Sequence, residues 1–362
     1  MALLLVLGPV LLPEFRDSEA GRPDLISAAM SLAAVLAVIY GLKRIAAYDL
    51  EWLPVVCILV GLAVGAFFVR RQQTLTDPLI DLRLFRAPAF SASLAAFLLS
   101  IFVIAGIFFF IAQYLQLVLG LSPLQAGLWT LPSAGGLIAG SLLAPLVARR
   151  VRPAFVMAAG LALSAVGFGM VAQIGAGSGL PVLVAGSVIF SLGVAPVGTL
   201  ATDIMVGSAT PEKAGAASGI SETSAEFGGA LGIAVLGSIG TAVYRSEVAG
   251  AFPDQVPSGV AEAARDTLGR AVSVTDRLPD PLAAGLLDAA RGAFTQGLQL
   301  AAITSTAIVV GMAVLALLLL RHAGLSSDTE GPADTAPDRS SPARRRRGCD
   351  PAREGQWWGP RR

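Results

Sequence analysis

The sequence predicts an all-α, polytopic membrane protein. Of its 362 residues 54% are hydrophobic and only 14% are charged, whereas about a quarter of the residues in an average soluble domain are charged. The mean hydropathy is +0.71, and a soluble fold cannot hide that much apolar surface without exposing large patches. The apolar residues form long runs rather than short alternating segments, so the pattern does not favour a membrane β-barrel.

Composition also excludes several classes of function. One histidine, His322, and two cysteines, Cys57 and Cys349, cannot supply a His/Cys metal cluster, a histidine-based catalytic triad or a disulfide framework. Lys and Arg total 26 and Asp and Glu total 25, so the net charge of +1 creates no field that would attract nucleic acid. We therefore expect no enzyme, no metal or other cofactor and no nucleic-acid partner.

Eight windows approach the roughly 20 apolar residues that a membrane-spanning helix needs. In chain order they run from about 25–42, 52–69, 89–112, 125–148, 154–174, 181–206, 216–244 and 295–320. The eighth window holds no charged residue, whereas the seventh carries two acids in its first turns. The first two windows lie within residues 24–70 and the other six within residues 89–320.

Three further stretches differ from these windows. Residues 1–12 are apolar but too short to span, and we interpret them as the last part of a truncated transmembrane helix. Residues 245–294 predict a long extracytoplasmic loop with two short amphipathic helices, in DQVPSGVAEAARDTLGRAVSV and DPLAAGLLDAARGAF. Residues 321–362 are rich in Ser, Pro, Asp and Arg without apolar periodicity, which predicts a disordered cytoplasmic tail.

Lys and Arg in the connecting segments predict the orientation. Arginines are frequent in residues 70–88, in RRVRP at 149–153 and in the tail, whereas residues 113–124 and 175–180 contain neither Lys nor Arg. Positive residues favour the cytoplasmic side. We therefore expect a multi-pass protein of the cell membrane with both termini in the cytoplasm, although Lys43, Arg44 and the arginines of the long loop run against this trend.

Five polar side chains near the ends of spans are candidates for a substrate or proton path: Gln113, Gln116, Asp203, Glu222 and Glu226. Polar groups at membrane depth are costly and often mark such paths. The glutamine pair is three residues apart and the glutamate pair four, so each pair is expected to share a helix face. Because all five lie near span ends, anchoring at the membrane interface is the alternative interpretation.

Small residues recur inside the spans, and Gly228 with Gly232 makes a GxxxG motif. Such faces let helix backbones approach closely, because lipid provides no hydrophobic drive for helices to associate. We interpret this motif as bundle packing rather than as a site.

At this level of detail the chain resembles a known family. LGLSPLQAGLWTLPSAGG, APLVARRVRP and TDIMVGSATPEKAGAASGISETSAEFGGALGIAVLGSIGTAVYR are similar to the C-terminal half of the fourteen-helix drug:proton antiporter branch of the major facilitator superfamily. The segment around a DLxS motif, Asp24 to Ser27, followed by a helix ending in YGLK, resembles the junction after that family's sixth helix. DPLIDLRLFRAPAF resembles the entry to its ninth helix.

The resemblance implies a fold and a mechanism. Residues 1–12 would end helix six, 24–70 would be two linker helices, and 89–320 would form the C-terminal six-helix bundle. In this fold two bundles rock around a central site. The implied function is proton-coupled efflux of hydrophobic or cationic small molecules. Arg149, Arg150 and Arg152 would then lie in a basic cytoplasmic gating loop, without the acid that usually accompanies it.

The implied partners are a small-molecule substrate, protons, the lipid bilayer and either a missing N-terminal half or a second copy of the chain. The family's N-terminal bundle carries its best-attested proton-coupling acid, and that bundle has no counterpart in this sequence. The alternative is therefore a truncated, inactive membrane remnant or an assembly partner of another transporter half.

Overall fold

The computed structural model describes residues 24–47, 52–75, 84–175, 179–208, 214–251, 256–275 and 278–320. Every regular element in these ranges is helical, so the predicted all-α class is confirmed. The predicted helix remnant at 1–12 and the predicted tail at 321–362 lie outside the described residues.

The described part of the chain contains ten α-helices. They are α1 Leu25–Ala47, α2 Trp52–Thr74, α3 Pro88–Gln113, α4 Pro123–Ala148, α5 Pro153–Val171, α6 Gly179–Gly207, α7 Ala214–Val248, α8 Ser258–Asp266, α9 Leu268–Val274 and α10 Asp280–Leu320. A 3₁₀ turn at Leu84–Arg86 precedes α3, and a π-helical turn at Tyr114–Val118 prolongs it.

Among the described helices, seven are long and apolar enough to cross a membrane: α2 to α7 and α10. The apolar part of α1, Leu25–Gly41, is shorter than this group. Seven of the eight windows predicted from the sequence overlap these seven helices, one window each, and the first window, 25–42, lies on α1. The chain is thus a multi-pass membrane protein.

Local sequence explains where the bundle helices begin. Proline stands at the first positions of α3, α4 and α5, where its fixed φ suits a helix and its missing N–H is not needed. The start of α4 also has a capping box, in which Ser122 Oγ accepts from Gln125 N and Gln125 Oε1 accepts from Ser122 N. These signals set the entry of the chain into each span.

Glycines determine how the spans pack. A methyl group at Gly160 of α5 or at Gly193 of α6 would collide with the carbonyl oxygen of the other glycine. A methyl at Gly228 of α7 would lie 2.7 Å from the Leu98 carbonyl oxygen, and one at Gly232 would collide with the Phe102 carbonyl. The helix pairs α5–α6 and α3–α7 therefore meet backbone to backbone, and the second contact is the one that the GxxxG motif of Gly228 and Gly232 predicts.

Helix α10 packs against α3, α5 and α7, and it requires one correction to the sequence analysis. We predicted a separate short helix within 280–294, and that prediction is wrong, because α10 runs without a break from Asp280 to Leu320 over 41 residues. At 1.5 Å per residue the helix is about 60 Å long, twice the roughly 30 Å apolar core of a bilayer. No proline interrupts it after its first turn, so the amphipathic segment continues directly into the span.

The structure does have two short helices in the predicted loop, α8 and α9. Both lie within the first of the two predicted segments, DQVPSGVAEAARDTLGRAVSV, rather than one in each. They pack on one end of the bundle, where Tyr244 Oη donates a 2.7 Å hydrogen bond to the Ala264 carbonyl oxygen. At the same end, Arg291 Nε donates to the Leu117 carbonyl oxygen at 3.2 Å and Gln299 Nε2 to that of Ile174 at 2.7 Å. Because α4 and α5 cross the bundle, the basic turn that joins them lies at the opposite end.

Candidate functional site: a cleft between three helices

An open cleft of about 400 Å³ lies where α3, α4 and α6 meet. Its walls are mainly aliphatic, and five polar side chains interrupt them. The lining residues are Ser100, Ile101 and Ile104 from α3, Leu137 and Ser141 from α4, and Val194, Ala195, Gly198, Thr199, Thr202 and Asp203 from α6. The volume falls within the range of small-molecule sites, which are concave and mostly apolar with a few polar groups.

The packing of small residues opens this cleft at one side of α6. Gly136 and Gly140 of α4 pack so closely on α6 that a methyl group at Gly136 would lie 2.8 Å from the Val188 carbonyl oxygen. This contact brings Ser141, one position after Gly140, to the cleft. On α6, Thr199, Thr202 and Asp203 follow a three- and four-residue spacing that places them on one face.

The polar groups of the cleft present hydrogen-bond acceptors. The hydroxyls of Ser100, Thr199 and Thr202 donate to carbonyl oxygens four residues back in their own helices, at 2.7, 3.2 and 3.0 Å. A hydroxyl that has donated its proton in this way offers only its lone pairs to a ligand. Asp203 adds an exposed carboxylate, and no lysine or arginine lines the cleft. The arrangement suits a positively charged or hydrogen-bond-donating molecule.

Of the five polar candidates from the sequence, the structure places only Asp203 in this cleft. Glu222 and Glu226 lie on α7, and both side chains are exposed. Neither forms a hydrogen bond or an ion pair with a described residue. They share a face, as their spacing predicts, but that face differs from the one with which Gly228 and Gly232 pack on α3.

The two glutamines lie at the far end of α3. Gln113 is the last residue of α3 and Gln116 belongs to the π-helical turn. Their side-chain amides donate to the carbonyl oxygens of Phe109 and Ala112, at 3.3 and 3.1 Å. Each amide thus bonds to its own helix, and neither residue lines the cleft.

The three arginines lie in the turn between α4 and α5. Arg149 ends α4, Arg152 precedes the first residue of α5, and all three guanidinium groups, including that of Arg150, are exposed. None forms an ion pair with a described residue. Metal ligands are not clustered either, since no group of three or more His, Cys, Asp or Glu side chains comes together in the described ranges.

The hydroxyls of the cleft were missed as site residues in the sequence analysis. None of Ser100, Ser141, Thr199 and Thr202 was among the predicted candidates. The spacing of Thr199, Thr202 and Asp203 was the available signal, because it predicts one polar stripe on an otherwise apolar span. No such spacing marks Ser100 of α3, because it is a single hydroxyl among apolar residues.

Comparisons with known proteins agree with this architecture. The family model described as Major Facilitator Superfamily matches residues 25–233. The multidrug efflux pump LfrA of Mycolicibacterium smegmatis is 41% identical over 86% of this chain, and the tetracenomycin C resistance and export protein of Streptomyces glaucescens is 31% identical over 86%. The methyl viologen resistance protein SmvA of Salmonella typhimurium is 30% identical over 81%.

The chain spans about three fifths of the length of these relatives: 61%, 60% and 59% respectively. Among solved structures, a bacterial homologue of the human lysosomal transporter Spinster, inward-facing and occupied, matches with a TM-score of 0.52 at 17% identity. That match covers 82% of this chain and 66% of the other. It shows a shared fold.

Proposed function

The chain belongs to the major facilitator superfamily, and from this premise we propose that it is part of a carrier that exports hydrophobic cations in exchange for protons. The observation that carries the proposal is the cleft between α3, α4 and α6, where aliphatic walls surround acceptor oxygens and the Asp203 carboxylate. The names of the similar proteins, a multidrug efflux pump and a methyl viologen resistance protein, support this substrate class, because methyl viologen is an organic dication.

Proton coupling is assigned to Asp203, Glu222 and Glu226, three acids near the ends of spans that have no ion-pair partner among the described residues. Asp203 would meet the substrate in the cleft, and Glu222 and Glu226 would exchange protons on the neighbouring face of α7. Carboxylates at membrane depth that lack a basic partner are suited to binding and releasing protons during a transport cycle. Gln113, Gln116 and the arginines of the α4–α5 turn would act at the two ends of the path, as polar lining and as part of the cytoplasmic gate.

The transporting unit would contain a second bundle, from an N-terminal half or from another copy of the chain. The cleft and the acidic face of α7 are open in the described structure, and a carrier that alternates access must cover its central site from both sides. A second copy would not bring the proton-coupling acid that the family resemblance assigns to the N-terminal bundle. We therefore expect that this chain expressed by itself does not extrude drugs.

Binding is the direct test of the site. Titration of the purified chain in detergent with ethidium, a fluorescent organic cation, should show saturable binding. Asp203→Asn should weaken this binding about tenfold, which corresponds to about 1.4 kcal/mol. Asp288→Asn, which removes an exposed carboxylate on α10, is the matched control and should bind normally. Equal affinity for the wild type and Asp203→Asn would refute the assignment of the site.

Dye accumulation in an efflux-deficient host tests whether the chain transports without an N-terminal half. Residues 1–362 alone should leave accumulation equal to that with an empty vector. Energy-dependent extrusion would contradict this expectation and would show that the chain works by itself or with a second copy.

Labelling of single cysteines at Ser258 and Ser326 tests the proposed orientation, in which the first is accessible from outside and the second from the cytoplasm.

A further inference from the structure

Helices α1 and α2 pack side by side and approach closely at two glycines. A methyl group at Gly41 of α1 would lie 2.7 Å from the Pro54 carbonyl oxygen, and one at Gly61 of α2 would lie 2.9 Å from that of Ala34. These contacts cover one end and the middle of the pair. The other end, where α1 begins and α2 finishes, is joined by polar side chains instead.

The centre of this polar group is Ser27, whose side chain is completely buried. Its hydroxyl donates to Asp24 Oδ2 at 2.7 Å and accepts from Gln72 Nε2 at 2.7 Å and from Arg71 Nε at 3.2 Å. A hydroxyl has one proton to donate and two lone pairs. All three are used here, and two of them reach across to the other helix.

Asp24 has two roles at the same point. Its Oδ1 accepts from the backbone N–H groups of Ile26 and Ser27, at 3.1 and 3.2 Å, which caps the first turn of α1. Its Oδ2 forms an ion pair with Arg71 Nη2 at 3.0 Å. The Ser27 hydrogen bonds and the Arg71 guanidinium lower the pKa of Asp24 to about 2, so the carboxylate stays charged throughout the neutral range.

These contacts give a structural meaning to the DLxS motif that the sequence analysis associated only with a family junction. The first and last residues of the motif, Asp24 and Ser27, are the two that contact α2. Their partners are consecutive residues, Arg71 and Gln72, in the last turn of α2. Hydrogen bonds and an ion pair centred on a buried hydroxyl are directional and specify one arrangement, whereas apolar packing tolerates sliding.

We propose that this network is an interhelical lock that fixes α1 and α2 in one register and holds their polar ends together as one body. Its four members, the α1–α2 lock, are Asp24, Ser27, Arg71 and Gln72. The lock is independent of the proposed transport function, because none of its members lines the cleft or belongs to the acidic face of α7.

Distance measurements between the two helix ends test the lock. In a chain whose two cysteines, Cys57 and Cys349, are replaced by serine, spin labels go at the exposed positions of Ile26 and Thr74. The parent should give one narrow distance distribution by pulsed electron resonance. Arg71→Met, which removes the guanidinium but keeps an apolar stem, should broaden this distribution and lower the thermal unfolding temperature.

Arg70 provides a matched control. It is the neighbouring arginine on α2, is exposed, and forms no ion pair with a described residue. Arg70→Gln should leave both the distances and the unfolding temperature unchanged. Equal broadening in Arg70→Gln and Arg71→Met would overturn the lock, because the effect would then come from charge at the membrane surface.

A double-mutant cycle measures the coupling directly. Asp24→Asn keeps a good helix cap and removes the charge. In combination with Arg71→Met it should lower the unfolding temperature no further than the larger single effect, because both substitutions remove the same ion pair. Fully additive effects, or unchanged distances in both single variants, would refute the proposal.

Discussion

Helix α7 has two faces that behave in opposite ways. On one face, Gly228 and Gly232 lie directly against the backbone of α3, with no room for a methyl group. On the other, Glu222 and Glu226 are exposed and form no hydrogen bond or ion pair with a described residue. The contrast teaches that close packing and charge are kept apart on this helix: the face that packs on α3 has glycines at its closest contacts, and the face that carries the two acids is exposed.

The α1–α2 pair shows what an acid does when it is part of the packing instead. Asp24 caps α1, pairs with Arg71 and accepts a hydrogen bond from Ser27, whereas Asp203, Glu222 and Glu226 have no such partners among the described residues. An acid whose charge is fully satisfied stabilises a structure. An acid without a partner at membrane depth is free to take up a proton or a cation, which is why we assign function to the second group.

The largest effect is expected on the packed face. Gly232→Ala should destabilise the bundle by about 1–3 kcal/mol, because the added methyl meets backbone atoms that cannot swing away. Gly219→Ala is the control on the open face, where a methyl would meet nothing within 4 Å. It should stabilise α7 by about 0.5–1 kcal/mol, as alanine favours a helix over glycine. Thermal unfolding in detergent measures the stability of both variants. An equal loss of stability in Gly232→Ala and Gly219→Ala would contradict the difference between the two faces.

Substitutions on the exposed face of α7 should change substrate binding but not the stability of the protein. Glu222→Gln combined with Glu226→Gln should change the dependence of substrate affinity on pH by about tenfold, the usual size of coupling between two ligands. The unfolding temperature should stay constant, since no described contact is lost. Glu262→Gln on α8, also exposed, should alter neither quantity. Normal pH-dependent transport by the double variant in a complete carrier would leave these glutamates without a functional role.

A smaller effect is expected where α7 meets α8. Tyr244→Phe removes the hydrogen bond to the Ala264 carbonyl oxygen and should cost about 1 kcal/mol, the typical net value of such a bond. Hydrogen exchange at the backbone amides of α8 and α9 should increase in this variant, while exchange in α5 and α6 should not. Unchanged protection of α8 would mean that apolar packing alone holds this segment on the bundle.

The smallest effect is expected in the stability of the protein at low pH. The pKa of Asp24 lies near 2 in the folded chain, below its ordinary value of 3.8. A lowered pKa contributes stability that is present above the ordinary value and is lost as pH falls through the folded one. The unfolding temperature should therefore show a component that is flat above about pH 4 and declines towards about pH 2. Asp24→Asn should lack this component, and an identical acid profile in both proteins would contradict the contacts of the Asp24 carboxylate with Ser27 and Arg71.

Much of the fold was predictable from the sequence because the membrane imposes simple rules. The length and hydropathy of the runs located the spans, since every backbone group must bond internally in lipid. Gly228 and Gly232 predicted a close helix contact for a similar reason. The end of the long loop was not predictable, because DPLAAGLLDAARGAF has the same periodicity whether it stops at residue 294 or continues into the span.

The site was less predictable than the fold. The sequence did not show which of the five polar candidates line a site, because all of them lie near the ends of spans. These candidates are Asp203, Glu222, Glu226, Gln113 and Gln116. The structure separated Asp203, because the packing of α4 on α6 at Gly136 and Gly140 opens a cleft beside it. The glutamines proved to be bonded to their own helix, a contact that one-dimensional spacing does not distinguish from a free polar face.

The sequence by itself determined that this chain crosses the membrane repeatedly as helices, and its motifs indicated the family, because both depend on composition and order along one dimension. Only the tertiary structure decided which polar residues share a cavity, which acids are neutralised and which stay open. These properties depend on distances between helices that are far apart in the chain. Asp24 and Arg71 illustrate the point: they are 47 positions apart, yet their side chains lie 3.0 Å from each other.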